Sequence, residues 1–208
     1  MCFSVTASFT AGAILSVVGV ATIKKARKKS EIPLASIPLF FGVQQFIEGG
    51  VWLSFQYGFS FLNQIATYAY LGFVYVLWPI LVPFSVGLLE TDPHRKNILY
   101  AFQVIGVAIG VYLLYFIINA PVVSQIVGKS IIYSMPSQYG VFLVGMYLLA
   151  TCVSCLFSSH RIINILGVLA VVSFVITYHF YTASYVSVWC FFAALLSGVI
   201  YFYFRRRV

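Results

Sequence analysis

The sequence predicts an all-α membrane protein of seven transmembrane helices, and three observations predict it. The 208-residue chain is 62% hydrophobic and only 8% charged, whereas a soluble domain carries roughly 25% charged residues. Its apolar residues fall into seven runs of about 20 residues, the length of helix that crosses a bilayer. Its basic residues sit in short clusters between those runs, where Lys and Arg set orientation. The net charge of +8 therefore belongs to membrane orientation and not to nucleic acid.

The expected spans cover residues 5–23, 32–54, 64–89, 97–118, 139–157, 163–180 and 183–204 of a single bundle domain. Lys24, Lys25, Arg27, Lys28 and Lys29 lie in the first loop, Arg95 and Lys96 in the third and Arg161 in the fifth, and Arg205, Arg206 and Arg207 end the chain. Eleven of the twelve basic residues thus fall on one side of a seven-span arrangement, with only Lys129 on the other. The positive-inside rule puts the N-terminus outside and the C-terminus in the cytoplasm. The first run has no basic segment before it and reads as an uncleaved span. The stretch from Asn119 to Gln138 is expected to hold a short interfacial helix, and Tyr201–Phe204 an aromatic interfacial anchor.

Small residues let helices approach in lipid. Ser4, Ser8, Gly12 and Ser16 form one such stripe, Ala194 and Gly198 another, and Gly106 with Gly110 a GxxxG pair suited to packing within the bundle or to a homo-oligomer. Trp78-Pro79 and Pro83 predict a kink in the third span. Cys152 and Cys155 form a CxxC without the features of a haem or paired zinc site, and together with Cys190 they read as small packing residues. Glu31, Glu90 and Asp92 stand beside basic residues at cytoplasmic helix ends and read as solvated.

Ionisable groups inside spans are costly and mark sites. Glu48 in the second span lies roughly 9 Å from its outer end at 1.5 Å per residue, and His179 lies at the outer end of the sixth. Gln44, Glu48 and Trp52 share a helix face at a spacing of four, with Gln45 adjacent, and Asn63, Gln64 and Thr67 begin the third span nearby. Cys2 precedes the first span at the same side. Cys2, Glu48 and His179 are candidate ligands for a transition metal such as zinc, which could activate water. Gln44, Gln45, Glu48, Trp52, Gln64 and His179 are candidate ligand-binding residues of a polar pocket facing the periplasm. A proton-carrying Glu48 in a transporter, a buried structural carboxyl, and a scaffold without substrate remain open. A retinal Schiff base needs a lysine within a span, and none is present. P-loop, HExxH and GxSxG motifs are also missing, so ATP-driven transport and the common hydrolase classes have no support.

The opening Met1-Cys2-Phe3-Ser4-Val5-Thr6-Ala7-Ser8-Phe9 resembles an uncharacterised family of bacterial membrane proteins that begin Met-Cys-Phe-Ser-Ala-Thr-Ala-Ser-Phe, with Val5 in place of the usual Ala. The stretches Ile37–Gly42 and Gln44–Gly49, followed by Trp52, are similar to that family too. The resemblance is specific over about the first 55 residues and implies a bacterial inner-membrane protein with no assigned activity.

Overall fold

The computed structural model describes residues 4–134 and 140–205. Cys2, Tyr139, Arg206 and Arg207 lie outside the described residues. The described chain is helical, with one small hairpin. Helix α1 spans Val5–Ile23 and α2 Ile32–Tyr57; α3 (Ser60–Leu71) runs through a π-helical turn, Gly72–Leu77, into α4 (Trp78–Leu89). Next come α5 (Pro93–Asn119), the strands β1 (Val123–Val127) and β2 (Ser130–Ser134), and α6 (Val141–Leu148). Helix α6 continues through a second π turn, Leu149–Val153, into α7 (Ser154–Leu156), and α8 (Arg161–Phe180) and α9 (Tyr185–Arg205) complete the chain. With each π turn joined to its flanking helices, the described residues form seven helical rods, close to the seven apolar runs.

Five of these rods are long and apolar enough to cross a membrane: Val5–Ile23, Ser60–Leu89, Pro93–Asn119, Arg161–Phe180 and Tyr185–Arg205. Helix α2 is long enough but its apolar character is diluted by Gln44, Gln45 and Glu48, and Val141–Leu156 is shorter.

Glycine sets the closest seam. Helices α1 and α2 meet through Gly12 and Gly19 on one side and Gly42 and Gly49 on the other. A Cβ on Gly19 would collide with the Leu39 backbone, and one on Gly49 with the Phe9 ring. Gly106 and Gly110 are buried against α4: a Cβ on Gly106 would strike the Pro79 carbonyl oxygen, and one on Gly110 the Ile80 side chain. The face considered for homo-oligomerisation is thus spent on an intrachain contact.

The irregular turn in the third rod follows from proline chemistry. Pro79 and Pro83 have no N–H to offer the preceding turn, and the rod accommodates them with the π turn Gly72–Leu77 directly before Trp78. There the Trp78 N–H reaches Phe73 O instead of Val74 O. The released Val74 carbonyl accepts a 2.6 Å hydrogen bond from Tyr147 Oη on α6. In a low-dielectric interior such a carbonyl needs a partner, so the irregular turn ties two rods together.

The ends of the rods sort by charge. At one end the Lys25 ammonium lies 5.7 Å from the Tyr201 ring centre, and Arg95 Nη1 donates to Phe157 O and Ser158 O, each at 3.3 Å. The His160 ring meets Tyr203 edge-on at 5.4 Å. The first, third and fifth connections and the end of α9 therefore gather at one basic end. Glu31 and Glu90, expected to be solvated, are instead buried there. The short turns leave backbone N–H groups that need acceptors, and the carboxylates supply them: Glu31 Oε2 accepts from Arg27 N at 2.7 Å and Lys28 N at 3.2 Å. Glu90 accepts from Ser159 N and Oγ at 2.7 and 2.9 Å, and from Thr91 N and Asp92 N at 3.0 and 3.1 Å.

The opposite end carries the hairpin in place of the expected interfacial helix. Val123–Val127 and Ser130–Ser134 pair antiparallel around Gly128, whose φ of 63° suits the tight turn. Ile131 is fully buried in a cluster with Val51, Trp52 and Ala66, and Tyr133 stacks on Tyr70 with ring centres 4.5 Å apart. A chain of hydrogen bonds runs from Thr67 to Ser124 (2.9 Å), Ser124 to Asn63 (3.0 Å) and Asn63 to Ser54 (2.9 Å).

Glu90 makes the fold's pH response predictable. Burial alone raises its pKa, but the donors from Ser159, Asp92 and Thr91 outweigh burial and hold it below the ordinary 4.5. A depressed carboxylate contributes stability that is present above its unfolded pKa and lost as pH falls through the folded one. Thermal unfolding in detergent, followed by circular dichroism, should show wild-type protein losing stability in that acid range. Glu90→Gln should be less stable than wild type at neutral pH and should show a flatter acid slope; an unchanged slope would remove Glu90 from this role.

Candidate functional site

One face of α2 changes character along its length. Leu34, Ile37 and Phe41 are apolar, and Gln44, Gln45 and Glu48 follow at helical spacing. All three polar residues are completely shielded from solvent. Unpaired polar groups are expensive at such depth, so their partners define the site.

Trp78 Nε1 donates to Gln44 Oε1 at 2.7 Å. The same indole stacks on Phe41, ring centres 3.9 Å apart and planes 20° from parallel. Because an indole only donates, this bond fixes the Gln44 amide with its oxygen toward Trp78 and its nitrogen away. Ser187 Oγ on α9 donates to Glu48 Oε1 at 2.6 Å, and Gln45 Nε2 lies 3.5 Å from Glu48 Oε2, a long contact. Gln44 Nε2 and Gln45 Oε1 are buried without a hydrogen-bond partner. The cluster therefore holds one donor with only the weakly accepting Cys190 thiol beside it and one unused acceptor.

Next to it lies a cavity of about 80 Å³. Its walls include Phe41 and Trp78, which also belong to the polar cluster, then Leu34, Cys155, Ala193 and Ile200 toward the basic end. Cys190, another wall residue, sits against Gln44 and Tyr70. No charged side chain is among the described residues that line it. Cys152 and Cys155 are free, buried thiols facing this space, in keeping with their reading as packing residues.

The structure brings together some of the expected site residues and separates others. Gln44, Gln45 and Glu48 cluster. Trp52 is buried one turn further on, packed with Val51, Ala66 and Ile131, with its Nε1 unpaired. Gln64 is exposed, and its neighbours Asn63 and Thr67 make the interior contacts instead. His179 is also exposed, with its ring edge-on to Phe180 at 5.0 Å, outside the buried cluster. Among the described residues no group of three or more His, Cys, Asp or Glu comes together as a metal site. The proposed metal triad of Cys2, Glu48 and His179 thus finds no support: His179 ends its helix at the surface, and Cys2 lies outside the described residues. Trp78 and Ser187 are the partners that sequence reasoning missed. A tryptophan beside a proline and a lone serine in an apolar span carry no mark of the helix they face.

Fold and site together define a bundle of long apolar helices enclosing a carboxylate–amide cluster above an apolar cavity. The chain belongs to the Family of unknown function (DUF6629), whose model matches residues 1–208, in agreement with the resemblance to an uncharacterised family. No curated protein and no solved structure matches it.

The two kinds of polar atom respond differently to substitution. Ser187→Ala removes a hydrogen bond to a buried carboxyl and should cost about 1.5–3 kcal/mol. Gln45→Met removes a buried acceptor that has no partner together with only a long 3.5 Å contact to Glu48, and should cost less than about 1 kcal/mol. Reversible unfolding in mixed detergent micelles measures both; a large loss in Gln45→Met would mean that its amide is already satisfied.

Proposed function

We propose that this protein is a seven-span bacterial inner-membrane protein, N-terminus outside and C-terminus in the cytoplasm, that binds a small ligand at the enclosed Gln44–Gln45–Glu48 cluster. The topology reading is supported by the gathering of the basic connections at one end of the bundle and by the single basic residue, Lys129, in the hairpin at the other. The ligand reading rests on one observation: Gln44 Nε2 and Gln45 Oε1 are fully buried beside Glu48 with no oxygen or nitrogen partner, and on that side Gln44 reaches only the Cys190 thiol, a weak acceptor. Buried polar groups without partners call for a ligand, ion or water to complete them. The absence of a metal cluster among the described residues favours an organic ligand over a metal ion. The apolar lining toward the basic end disfavours the transporter reading, which needs a polar path to the cytoplasm.

Two measurements test this. In intact cells a membrane-impermeant amine reagent should modify Lys129 and no other lysine, and Lys24, Lys25, Lys28, Lys29 and Lys96 only after permeabilisation; modification of the first-loop lysines in intact cells would invert the topology. Organic extracts of protein purified from native membranes should contain a molecule, at a fixed ratio to protein, that falls about tenfold in the Glu48→Gln variant, the effect of losing about 1.4 kcal/mol of binding. Identical extracts from both proteins would contradict the ligand reading.

A further inference from the structure

The basic end of the bundle sets nine of the described Lys and Arg residues against three carboxylates, Glu31, Glu90 and Asp92. Those carboxylates are engaged with the turns. Glu31 and Glu90 accept from backbone N–H groups, and Asp92 Oδ1 caps α5 by accepting from Arg95 N at 2.9 Å. Lys24, Arg27, Lys28 and Lys29 meanwhile stay exposed. We propose that this end is a docking surface for an anionic phospholipid. Its phosphate is held between the ends of α1 and α9 by Lys24, Lys25 and Arg205, and an acyl chain lies along the outward face of α1. The proposal does not rest on the ligand reading of the Gln44–Glu48 cluster.

Two helices build the phosphate site. Lys24 and Lys25 directly follow α1, and Arg205 is the last residue of α9. The contact of Lys25 with the Tyr201 ring brings the two ends together. Arg205 stands one turn beyond Tyr201 on the same helix face. Lys24 and Arg205 are exposed, so both can meet a headgroup. Ammonium and guanidinium groups only donate hydrogen bonds, and a phosphodiester only accepts them.

The chain site is continuous with the charge. A shallow groove lined by Ser16, Val17, Val20 and Ala21 runs along α1 and ends at Lys24. Val17 is 70% exposed and Val20 44%. One groove therefore carries a hydrocarbon surface and an ammonium at its end, the order of a phospholipid's own parts. From Ser16 to Lys24 it runs about 12 Å, most of one leaflet of a hydrocarbon core about 30 Å thick. On α9 the exposed Phe202 precedes Arg205 by three residues, and aromatic rings favour the same interface. A nucleic acid would use the charges and leave these apolar surfaces unused. Basic residues beside a span each strengthen attachment to an anionic membrane about fivefold, the equivalent of about 1 kcal/mol.

The test is native mass spectrometry of the full-length protein in detergent, titrated with dioleoylphosphatidylglycerol or dioleoylphosphatidylcholine. Phosphatidylglycerol should bind at least about tenfold more tightly, and the preference should shrink at high salt. The triple variant Lys24→Gln, Lys25→Gln, Arg205→Gln should lose the preference. The charge-conserving Lys24→Arg, Lys25→Arg variant should keep it, and Lys129→Gln, at the opposite end, should leave it unchanged. Thermal unfolding confirms that each variant is folded. Glycerophosphoglycerol, the headgroup without chains, should not compete at concentrations where the lipid saturates. Equal binding of the two lipids would overturn the proposal, and so would a preference retained by the triple variant. Competition by the bare headgroup at lipid concentrations would overturn the groove on α1. A single-stranded RNA oligonucleotide that displaces phosphatidylglycerol and binds as tightly would overturn the lipid assignment in favour of nucleic acid.

Discussion

The hydrogen bond from Trp78 to Gln44 joins every level of this structure. It links α2 to α4 inside the bundle, holds the indole flat against Phe41 and orients the Gln44 amide. It also has no ready substitute. With lipid as the solvent, an indole N–H or an amide deprived of its partner cannot turn to water. The remaining polar atoms of the cluster are placed around this fixed point: Ser187 reaches Glu48 from α9, and the donor left over on Gln44 faces away from Trp78. The chemical character of the site is thereby set by a residue pair 34 positions apart in the chain.

The same rule, that backbone and side-chain polar groups must be satisfied internally, accounts for the departures from regular helix. A π turn directly precedes Trp78-Pro79 in the third rod, and the carbonyl it releases is taken up by Tyr147. The rods come close enough for such contacts because glycines remove the side chains that would hold them apart, at Gly19 and Gly42 between α1 and α2 and at Gly106 between α4 and α5. At the basic end Glu31 and Glu90 gather the N–H groups of the turns. Carboxylates at this end act as anchors for connections, which is a different task from that of Glu48 in the interior.

Much of the fold was legible in the chain because hydropathy and charge act over long stretches. The rods fall near the expected spans, with modest shifts such as the third beginning at Ser60 instead of Gln64. What was not legible depends on which helix faces which. The hairpin hides in a stretch whose two strands are only five residues long each and show no strict apolar–polar alternation. Gly106 and Gly110 are suited equally to a partner chain or to α4, and only the three-dimensional arrangement chooses α4. Helical spacing correctly joined Gln44, Gln45 and Glu48, since that is a property of one helix. It could not join Ser187 or Trp78 to them, nor tell that His179 would end at the surface, since those are relations between helices.

The most direct test of the account is an experimental density map, by electron cryo-microscopy, of the protein taken from native membranes into nanodiscs. The ligand reading predicts density for a bound molecule within hydrogen-bonding distance of Gln44 Nε2 or Gln45 Oε1. A map with no such density, in which neighbouring side chains complete both amides, would contradict it.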